Sequence, residues 1–173
     1  MKLKIGVSGS AVELDKEVLG KARELGKEIA KNGAFVITGA TTGISLEAAI
    51  GARENKGFII GVSPAENERE HQSLYGYPLE EFDSIVFTGL GISGRNVTFI
   101  RSCDVVVFVA GKVGTLNELT IALNEGKKIG VLTHTGGISD KIAEIIKLVG
   151  KKADDVVFAE DPKKLVKELL GKK

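Results

Sequence analysis

Short apolar runs, rich in β-branched residues and seldom interrupted by polar ones, alternate along the chain with segments of helical periodicity. Such runs are typical of parallel strands that helices cover on both faces of a sheet. We predict strands at residues 3–7, 34–38, 57–62, 84–88, 104–110, 128–132 and 155–159. The alternation favours an α/β fold: a doubly wound, Rossmann-like domain with a mainly parallel sheet of about seven strands.

Helix signals fill the segments between these strands. Between the first two strands, apolar residues recur on one face of a helix, which the Asn-Gly pair at 32–33 ends: Val18, Ala22, Leu25 and Ile29. Near the carboxyl end of the chain, Asp161 suits an N-cap and Pro162 suits the first helical position. We predict the other helices at residues 43–55, 93–102, 115–126, 138–149 and 161–170.

Length and charge narrow the class of protein. At 173 residues the chain suits a single domain, residues 1–173, with one core. The 24 basic and 23 acidic residues are spread along the sequence, whereas nucleic-acid binding requires clustered basic charge. No apolar stretch approaches the roughly 18 residues of a membrane span, and the amino terminus lacks the apolar core of a signal peptide. We expect a cytoplasmic protein with no nucleic-acid and no membrane partner.

Residues that usually bind metals are sparse. The lone cysteine, Cys103, excludes a disulfide framework and a cysteine-based zinc site, and its place before an apolar strand suits a small core residue. The two histidines, His71 and His134, are far apart and have no acidic partner at ligand spacing, so we expect no metal site. His134 follows a strand and either touches a ligand or is a plain loop residue.

Three glycine-rich turns follow predicted strands: SGSA at 8–11, TGATTG at 38–43 and AGKVGT at 110–115. Glycine lets a backbone approach a ligand closely, and the first N–H groups of a helix attract an anion. None of the turns matches the P-loop or the dinucleotide-binding fingerprint, and ordinary turn formation explains any one of them alone. Together at one sheet edge they favour a phosphorylated, nucleotide-like ligand. The contacts we expect from these turns are Ser8, Gly9, Ser10, Gly39, Thr42, Gly43, Gly111, Lys112, Val113, Gly114 and Thr115.

Residues 63–82 form a long, polar and weakly patterned segment, which we predict as a loop at the same sheet edge. Loops of this length inside a compact domain are usually functional or mobile. Its two tyrosines, Tyr75 and Tyr77, either stack on the base of a ligand or pack the segment onto the protein.

The third turn runs into a Thr-x-x-Glu sequence, Thr115 to Glu118, which admits two interpretations. It is a capping box if the hydroxyl and the carboxylate satisfy unpaired N–H groups reciprocally. It is part of an anion site if Glu118 turns away from the helix end, since a carboxylate and a phosphate there would repel each other. The second arrangement needs a nearby cation, and Arg95, near the start of the preceding predicted helix, lies at the same edge.

The stretch GRNVTFIRSCDVVVFVAGKVGTLNEL (94–119) resembles the central signature of the LONELY GUY family of nucleoside monophosphate phosphoribohydrolases, once labelled lysine decarboxylases. It is more similar still to the sister group that contains molybdenum cofactor carrier proteins, which the block TGATTGISLEAAIGARENKGFIIGVSP (38–64) also resembles. The resemblance covers residues 3–132 and implies a Rossmann-like nucleotide-binding fold. It also implies a homodimer or homotetramer that assembles through helices beside the site.

The resemblance implies particular site residues as well. The family motif P-G-G-x-G-T-x-x-E falls on residues 110–115 and on Glu118. The catalytic arginine of the family falls on Arg95, so the implied catalytic residues are Glu118 and Arg95. A second family arginine falls on Arg101, and Asn96 joins Arg95 as an implied ligand contact.

The chain departs from the phosphoribohydrolase pattern at several positions. Lys112 replaces the second glycine of the motif and Ala110 replaces its proline, while Ala40 replaces a glycine of the earlier turn. Asn96 stands where the phosphoribohydrolases usually carry lysine, and the Arg95–Asn96 pair is that of the carrier-like group. A lysine at position 112 either adds a phosphate contact or occupies the space of the phosphate.

Two classes of function therefore remain. In the first, the protein binds AMP, GMP or a molybdopterin-type ligand without chemistry and requires no cofactor. In the second, it hydrolyses the N-glycosidic bond of a nucleoside 5′-monophosphate and releases the base and ribose 5-phosphate. Glu118 would then stabilise the oxocarbenium-like transition state, and Arg95 would position Glu118 or the phosphate. Lys112 and Asn96 favour the binding class.

Overall fold

The computed structural model describes residues 1–12, 15–151, 154 and 156–171. The strands are β1 (Lys4–Gly9), β2 (Phe35–Thr38), β3 (Ile59–Ser63), β4 (Ser84–Phe87), β5 (Val105–Val109), β6 (Lys128–Leu132) and β7 (Val156–Ala159). The helices are α1 (Lys16–Lys31), α2 (Ile44–Glu54), α3 (Glu68–Ser73), α4 (Gly91–Ser102), α5 (Val113–Asn124), α6 (Ile142–Leu148), which a 3-10 turn (Ser139–Lys141) precedes, and α7 (Pro162–Leu169).

The described strands form one sheet in the order β4-β3-β2-β1-β5-β6-β7, and every neighbouring pair is parallel. The predicted doubly wound, Rossmann-like α/β fold is confirmed. The chain moves outward from β1 to β4, crosses back to β5 beside β1, and then moves outward in the opposite direction. β1 and β5 therefore flank the point at which the strand order reverses, where open α/β sheets bind ligands.

Apolar layers cover both faces of the sheet. On one face, α1 and α2 bury Leu25, Ile29 and Ala48 against it, and on the other, α4 and α5 bury Phe99 and Leu119. All five residues of β5 are buried between these layers. The AGKVGT turn thus leaves a strand that the core holds rigidly on both sides.

Some element boundaries differ from the predictions. β1 continues through Gly9, so the first glycine-rich turn begins inside the strand, and α5 begins at Val113, earlier than predicted. The segment 63–82 is not a loop throughout, because it contains α3, whose N-cap Asn67 accepts a hydrogen bond from the Glu70 N–H (3.0 Å). A helix of this length shows too little apolar periodicity to be recognised from the sequence.

The last strand and helix follow the predictions closely. Asp161 caps α7, and its Oδ1 accepts a hydrogen bond from the Lys164 N–H (2.7 Å). Asp155, the first residue of the last predicted strand, lies outside the described residues. Within the described ranges, none of the helices combines the length and the apolarity that a bilayer span requires.

Candidate functional site

The three glycine-rich turns converge at the carboxyl edge of the sheet, because β2, β1 and β5 are neighbours there. A cleft of about 350 Å³ opens beside the turns and α4. The predicted residues that line it are Gly9, Ser10, Arg95, Asn96, Lys112, Val113, Gly114, Thr115 and Glu118. A smaller cavity of about 30 Å³ shares part of this lining and adds the predicted residues Ser8 and Gly39.

Three predicted contacts, Thr42, Gly43 and Gly111, line neither cavity. Thr42 Oγ1 donates a hydrogen bond to the Ala11 carbonyl oxygen (2.9 Å), and a Cβ at Gly43 would overlap the backbone of the first turn. The Gly111 carbonyl oxygen accepts a hydrogen bond from the Ile138 N–H (3.0 Å). These residues hold the turns against one another and against the chain behind them.

The capping-box interpretation of Thr115 and Glu118 is wrong. α5 begins at Val113 with Lys112 as its N-cap residue, and in the described part of the chain the N-cap side chain forms no capping bond. Thr115 is already inside the first turn, and Glu118 lies a further turn along the helix. The backbone N–H groups of residues 113–115 have no acceptor within the helix, and these three residues line the cleft.

Glu118 instead contacts a buried set of hydrogen-bond donors. Its Oε2 accepts a hydrogen bond from the hydroxyl of Ser8, in β1, and its Oε1 lies 3.5 Å from Arg95 Nη1. The Asn96 amide lies 2.9 Å from Glu118 Oε1 and 3.0 Å from the Ile92 carbonyl oxygen. Because both oxygens are acceptors, the amide nitrogen of Asn96 must face them. β1 and α4 thus supply three donors to one carboxylate of α5.

Burial dominates the electrostatics of the Arg95–Glu118 pair, whose side chains are 6% and 9% exposed. Burial raises the pKa of Glu118, although Arg95 and the Ser8 hydroxyl oppose the rise. Burial also lowers the pKa of Arg95, and the negative charge of Glu118 opposes that change. We assign the pair as ionised, because every group that contacts the carboxylate is a donor.

The guanidinium of Arg95 is fitted tightly into this site. A Cβ at Gly39 would overlap Arg95 Nη1, so the TGATTG turn needs glycine where the side chain passes. Among the described residues, the buried Nε of Arg95 has no hydrogen-bond partner. Gly39 therefore contributes to the site by leaving room for Arg95.

Other residues that the sequence singled out lie away from the cleft. Arg101 is not in the site, because its Nε and Nη2 donate hydrogen bonds to Glu125 Oε1 (3.0 and 2.7 Å) on the protein surface. Cys103 is a buried core residue, as predicted, and burial raises the pKa of its thiol. His134 is exposed and lies 3.1 Å from Glu160. Across the residues that the structure describes, no cluster of three His, Cys, Asp or Glu side chains is arranged to hold a metal.

Sequence analysis did not predict the apolar side of the cleft. Val12 and Ile92 line it, and nothing in the sequence places them there, since both lie outside the predicted strands and helices. Tyr77 also lines the cleft, whereas Tyr75 stacks on Tyr77 with ring centroids 5.5 Å apart. Of the two, only Tyr77 is therefore placed where it could meet a ligand. Thr41, within the TGATTG motif, is a further lining residue.

Comparison with known proteins identifies the family. Residues 2–166 match the family model described as the SLOG cluster4 family. The chain belongs to the SLOG cluster4 family. This SLOG cluster4 chain is 33% identical over 134 residues to an uncharacterized protein of Archaeoglobus fulgidus, and the match covers 76% of this chain and 82% of the relative.

Solved structures agree with this assignment. The SLOG cluster4 chain is similar to the molybdenum cofactor binding protein of the phototrophic bacterium Rippkaea orientalis, with a TM-score of 0.83, 28% identity and coverage of 99% of this chain and 97% of that one. It is also similar to the molybdenum cofactor carrier protein of Chlamydomonas reinhardtii, with a TM-score of 0.80, 31% identity and coverage of 99% and 100%. The predicted membership of a LONELY GUY-like and carrier-like family is confirmed.

Proposed function

We propose that this SLOG cluster4 protein binds a phosphorylated, nucleotide-like ligand in the cleft beside β1, β5 and α4, as a carrier or a nucleotide-binding protein. A molybdopterin-type ligand and a purine nucleotide are the two ligand types that the proposal includes. Its support is the similarity to molybdenum cofactor binding and carrier proteins and the position of the cleft where the strand order reverses.

The main observation in support of the proposal is that the Glu118 carboxylate points into the protein and not toward the amino end of α5. A carboxylate directed at the amino end of α5 would repel a phosphate there, but Ser8, Arg95 and Asn96 hold the Glu118 carboxylate, in the second turn, away from that end. The N–H groups of residues 113–115 are then available to an anion, which the helix dipole also favours. Lys112 is exposed at the same cleft and adds positive charge. The amino end of α5 is therefore the proposed phosphate site.

Hydrolysis of a nucleoside 5′-monophosphate is the second candidate function, because Glu118 lines the cleft beside Arg95. Water would attack the ribose C1′, the N-glycosidic bond would break, and the base would leave with a proton. The carboxylate of Glu118 would stabilise the positive charge that develops on the ribose. We rank this function second, because that carboxylate already accepts three hydrogen bonds and Glu118 is only 7% exposed.

A thermal-shift screen with AMP, GMP and molybdopterin tests ligand binding. A ligand that binds only the folded state raises the melting temperature by mass action, and we expect at least one of the three to do so. Gly114→Asp is the diagnostic variant, since a Cβ at Gly114 meets no atom within 4 Å and the added carboxylate lies at the proposed phosphate site. We expect Gly114→Asp to abolish the shift and the neutral control Gly114→Asn to keep it. No shift with any of these ligands would contradict the proposal.

Prolonged incubation with AMP separates binding from hydrolysis. For a binding protein we expect no free adenine or ribose 5-phosphate above the buffer control, even where AMP raises the melting temperature. Release of both products would establish the second function instead. In that case Glu118→Gln should lower kcat by orders of magnitude while AMP still binds, because the carboxylate acts mainly in the transition state.

A further inference from the structure

A fully buried histidine anchors the segment between β3 and β4, residues 64–83, which we call the tyrosine segment. His71 Nδ1 lies 2.8 Å from Ser63 Oγ, and His71 Nε2 lies 3.0 Å from the Pro78 carbonyl oxygen. A carbonyl oxygen only accepts, so Nε2 carries the proton and Nδ1 accepts from the Ser63 hydroxyl. These two hydrogen bonds tie α3 and the turn after it to the end of β3.

Aromatic contacts hold Tyr77 on two sides within this segment. The Tyr75 ring stacks on it, with centroids 5.5 Å apart and planes inclined by 21°. The His71 ring meets it edge-on, with centroids also 5.5 Å apart, and the Phe87 ring in turn meets His71 edge-on at 5.9 Å. Both arrangements are favourable for aromatic pairs. These contacts fix the orientation of the Tyr77 ring.

Tyr77 belongs to an apolar wall of the cleft. Val12 and Ile92 line the same cleft, although they are 57% and 52% exposed to solvent. Exposed apolar side chains gathered at a concave polar site indicate a surface that a ligand covers. The cleft thus combines a polar part, at the amino end of α5, with an apolar part built on Tyr77.

We infer that Tyr77 contacts the planar ring of the ligand and selects phosphates that carry such a ring over phosphates that carry none. The inference rests on the proposed phosphate site and adds a selectivity to it: Tyr77 favours a phosphate joined to a nitrogen-containing aromatic ring, a purine or a pterin, over the same phosphate without the ring. Contact with an aromatic side chain stabilises a ring of any such identity, since each presents a π face. Val12 and Ile92 then cover the remaining apolar edges of the ring.

The composition of the chain provides a direct test. It contains no tryptophan and only two tyrosines, Tyr75 and Tyr77, so its intrinsic fluorescence arises from the tyrosine segment alone. We expect AMP and GMP to quench this emission, after correction for absorption, and ribose 5-phosphate to leave it unchanged. The matched variants are Tyr75→Phe, which leaves Tyr77 as the reporter, and Tyr77→Phe, which leaves Tyr75. Quenching should persist in Tyr75→Phe and be lost in Tyr77→Phe, and calorimetry with AMP on both variants distinguishes loss of the reporter ring from loss of binding.

Calorimetry on the unsubstituted protein gives a second measurement. We expect it to bind AMP or GMP at least about tenfold more tightly than ribose 5-phosphate, because ring contact adds to phosphate binding. Equal affinities for the ring-bearing and the ring-free phosphate would overturn the inference, and so would equal quenching in the two variants. If ribose 5-phosphate, AMP, GMP and molybdopterin all fail to bind, the proposed phosphate site is wrong and the inference falls with it.

Discussion

Glu118 Oε1 lies 3.5 Å from Arg95 Nη1, and this buried contact joins α5 to α4 beside the end of β1. Ser8 completes the contact from the strand. Either charge would be costly in the interior without its partner, so the two residues depend on each other. The energetic coupling between the two residues can therefore be measured by unfolding experiments, without knowledge of the ligand.

Removal of the cation alone should destabilise the protein strongly. We expect Arg95→Met to lower the free energy of unfolding by about 3–5 kcal/mol at neutral pH, because it leaves the Glu118 carboxylate buried without a counter-charge. The double variant Arg95→Met/Glu118→Gln should be more stable than Arg95→Met, since it removes the uncompensated charge. Urea unfolding of the two single variants and the double variant measures the coupling. Costs that simply add would show that the pair is not coupled.

The loss of folding stability caused by Arg95→Met should also depend on pH. Burial raises the pKa of Glu118 in the folded protein, and removal of the Arg95 charge raises this pKa further. A carboxyl group with a raised folded-state pKa stabilises the fold most at pH values below its unfolded pKa, and this contribution disappears as the pH rises through the folded pKa. The stability deficit of Arg95→Met should therefore be larger at about pH 8 than at about pH 5. A deficit that is constant with pH would contradict the assigned role of Glu118.

The close contact of Gly39 with Arg95 predicts a steric effect. A Cβ at Gly39 would overlap Arg95 Nη1, so Gly39→Ala should cost about 1–3 kcal/mol and weaken AMP binding by displacing the guanidinium. Gly20→Ala is the matched control, because Gly20 lies in α1 with no atom within 4 Å of an added Cβ. This control should stabilise the protein by about 0.5–1 kcal/mol through helix propensity. Thermal unfolding and calorimetry would record both results.

Lys112 is expected to contribute charge to the proposed phosphate site. Its side chain is exposed at the cleft. Lys112 either adds a contact to the phosphate or occupies the space of the phosphate, and the two alternatives predict opposite effects of its removal on AMP binding. If it adds a contact, Lys112→Gln should weaken AMP binding about fivefold and reduce its salt dependence. Lys167→Gln, an exposed neutralisation on α7, should change neither. Tighter AMP binding by Lys112→Gln would show that the lysine obstructs the phosphate.

We expect the protein to form a homodimer or a homotetramer through a helix beside the site. Outside the cleft, α4 leaves Val97 38% exposed, which suits a partner surface. Val97→Asp should shift the protein toward monomer in sedimentation velocity at micromolar concentration, while Leu148→Asp, at the highly exposed end of α6, should not. A wild-type protein that sediments as a stable monomer would contradict the expectation.

The sequence alone was enough to predict the α/β class, the strands and the edge at which the three glycine-rich turns meet. Each of these features depends on local chemistry. Continuous β-branched runs indicate a strand that is buried on both faces of a sheet. A glycine directly after a strand indicates a turn or a close approach of the backbone to another group. Because parallel strands share one carboxyl edge, turns far apart in the sequence could be placed together without further information.

Local patterns could not decide which way the functional side chains face. The Thr-x-x-Glu spacing is the same in a capping box and in the observed arrangement, and only the start of α5 at Val113 separates the two. The segment that holds Tyr75 and Tyr77 likewise gives no periodicity from which to tell the cleft-lining ring from its outer neighbour.

Tertiary structure decided these questions because the partners are remote in the chain. Glu118 is held by Ser8, which is 110 residues away, and by Arg95, which is 23 residues away. Tyr77 lines the cleft against His71, and His71 is in turn held by Ser63 at the end of β3 and by Phe87 at the end of β4. A sequence pattern reflects contacts within about one helical turn or between neighbouring residues of a strand pair. The hydrogen-bond donors around a buried carboxylate can come from any part of the chain that the fold places beside it.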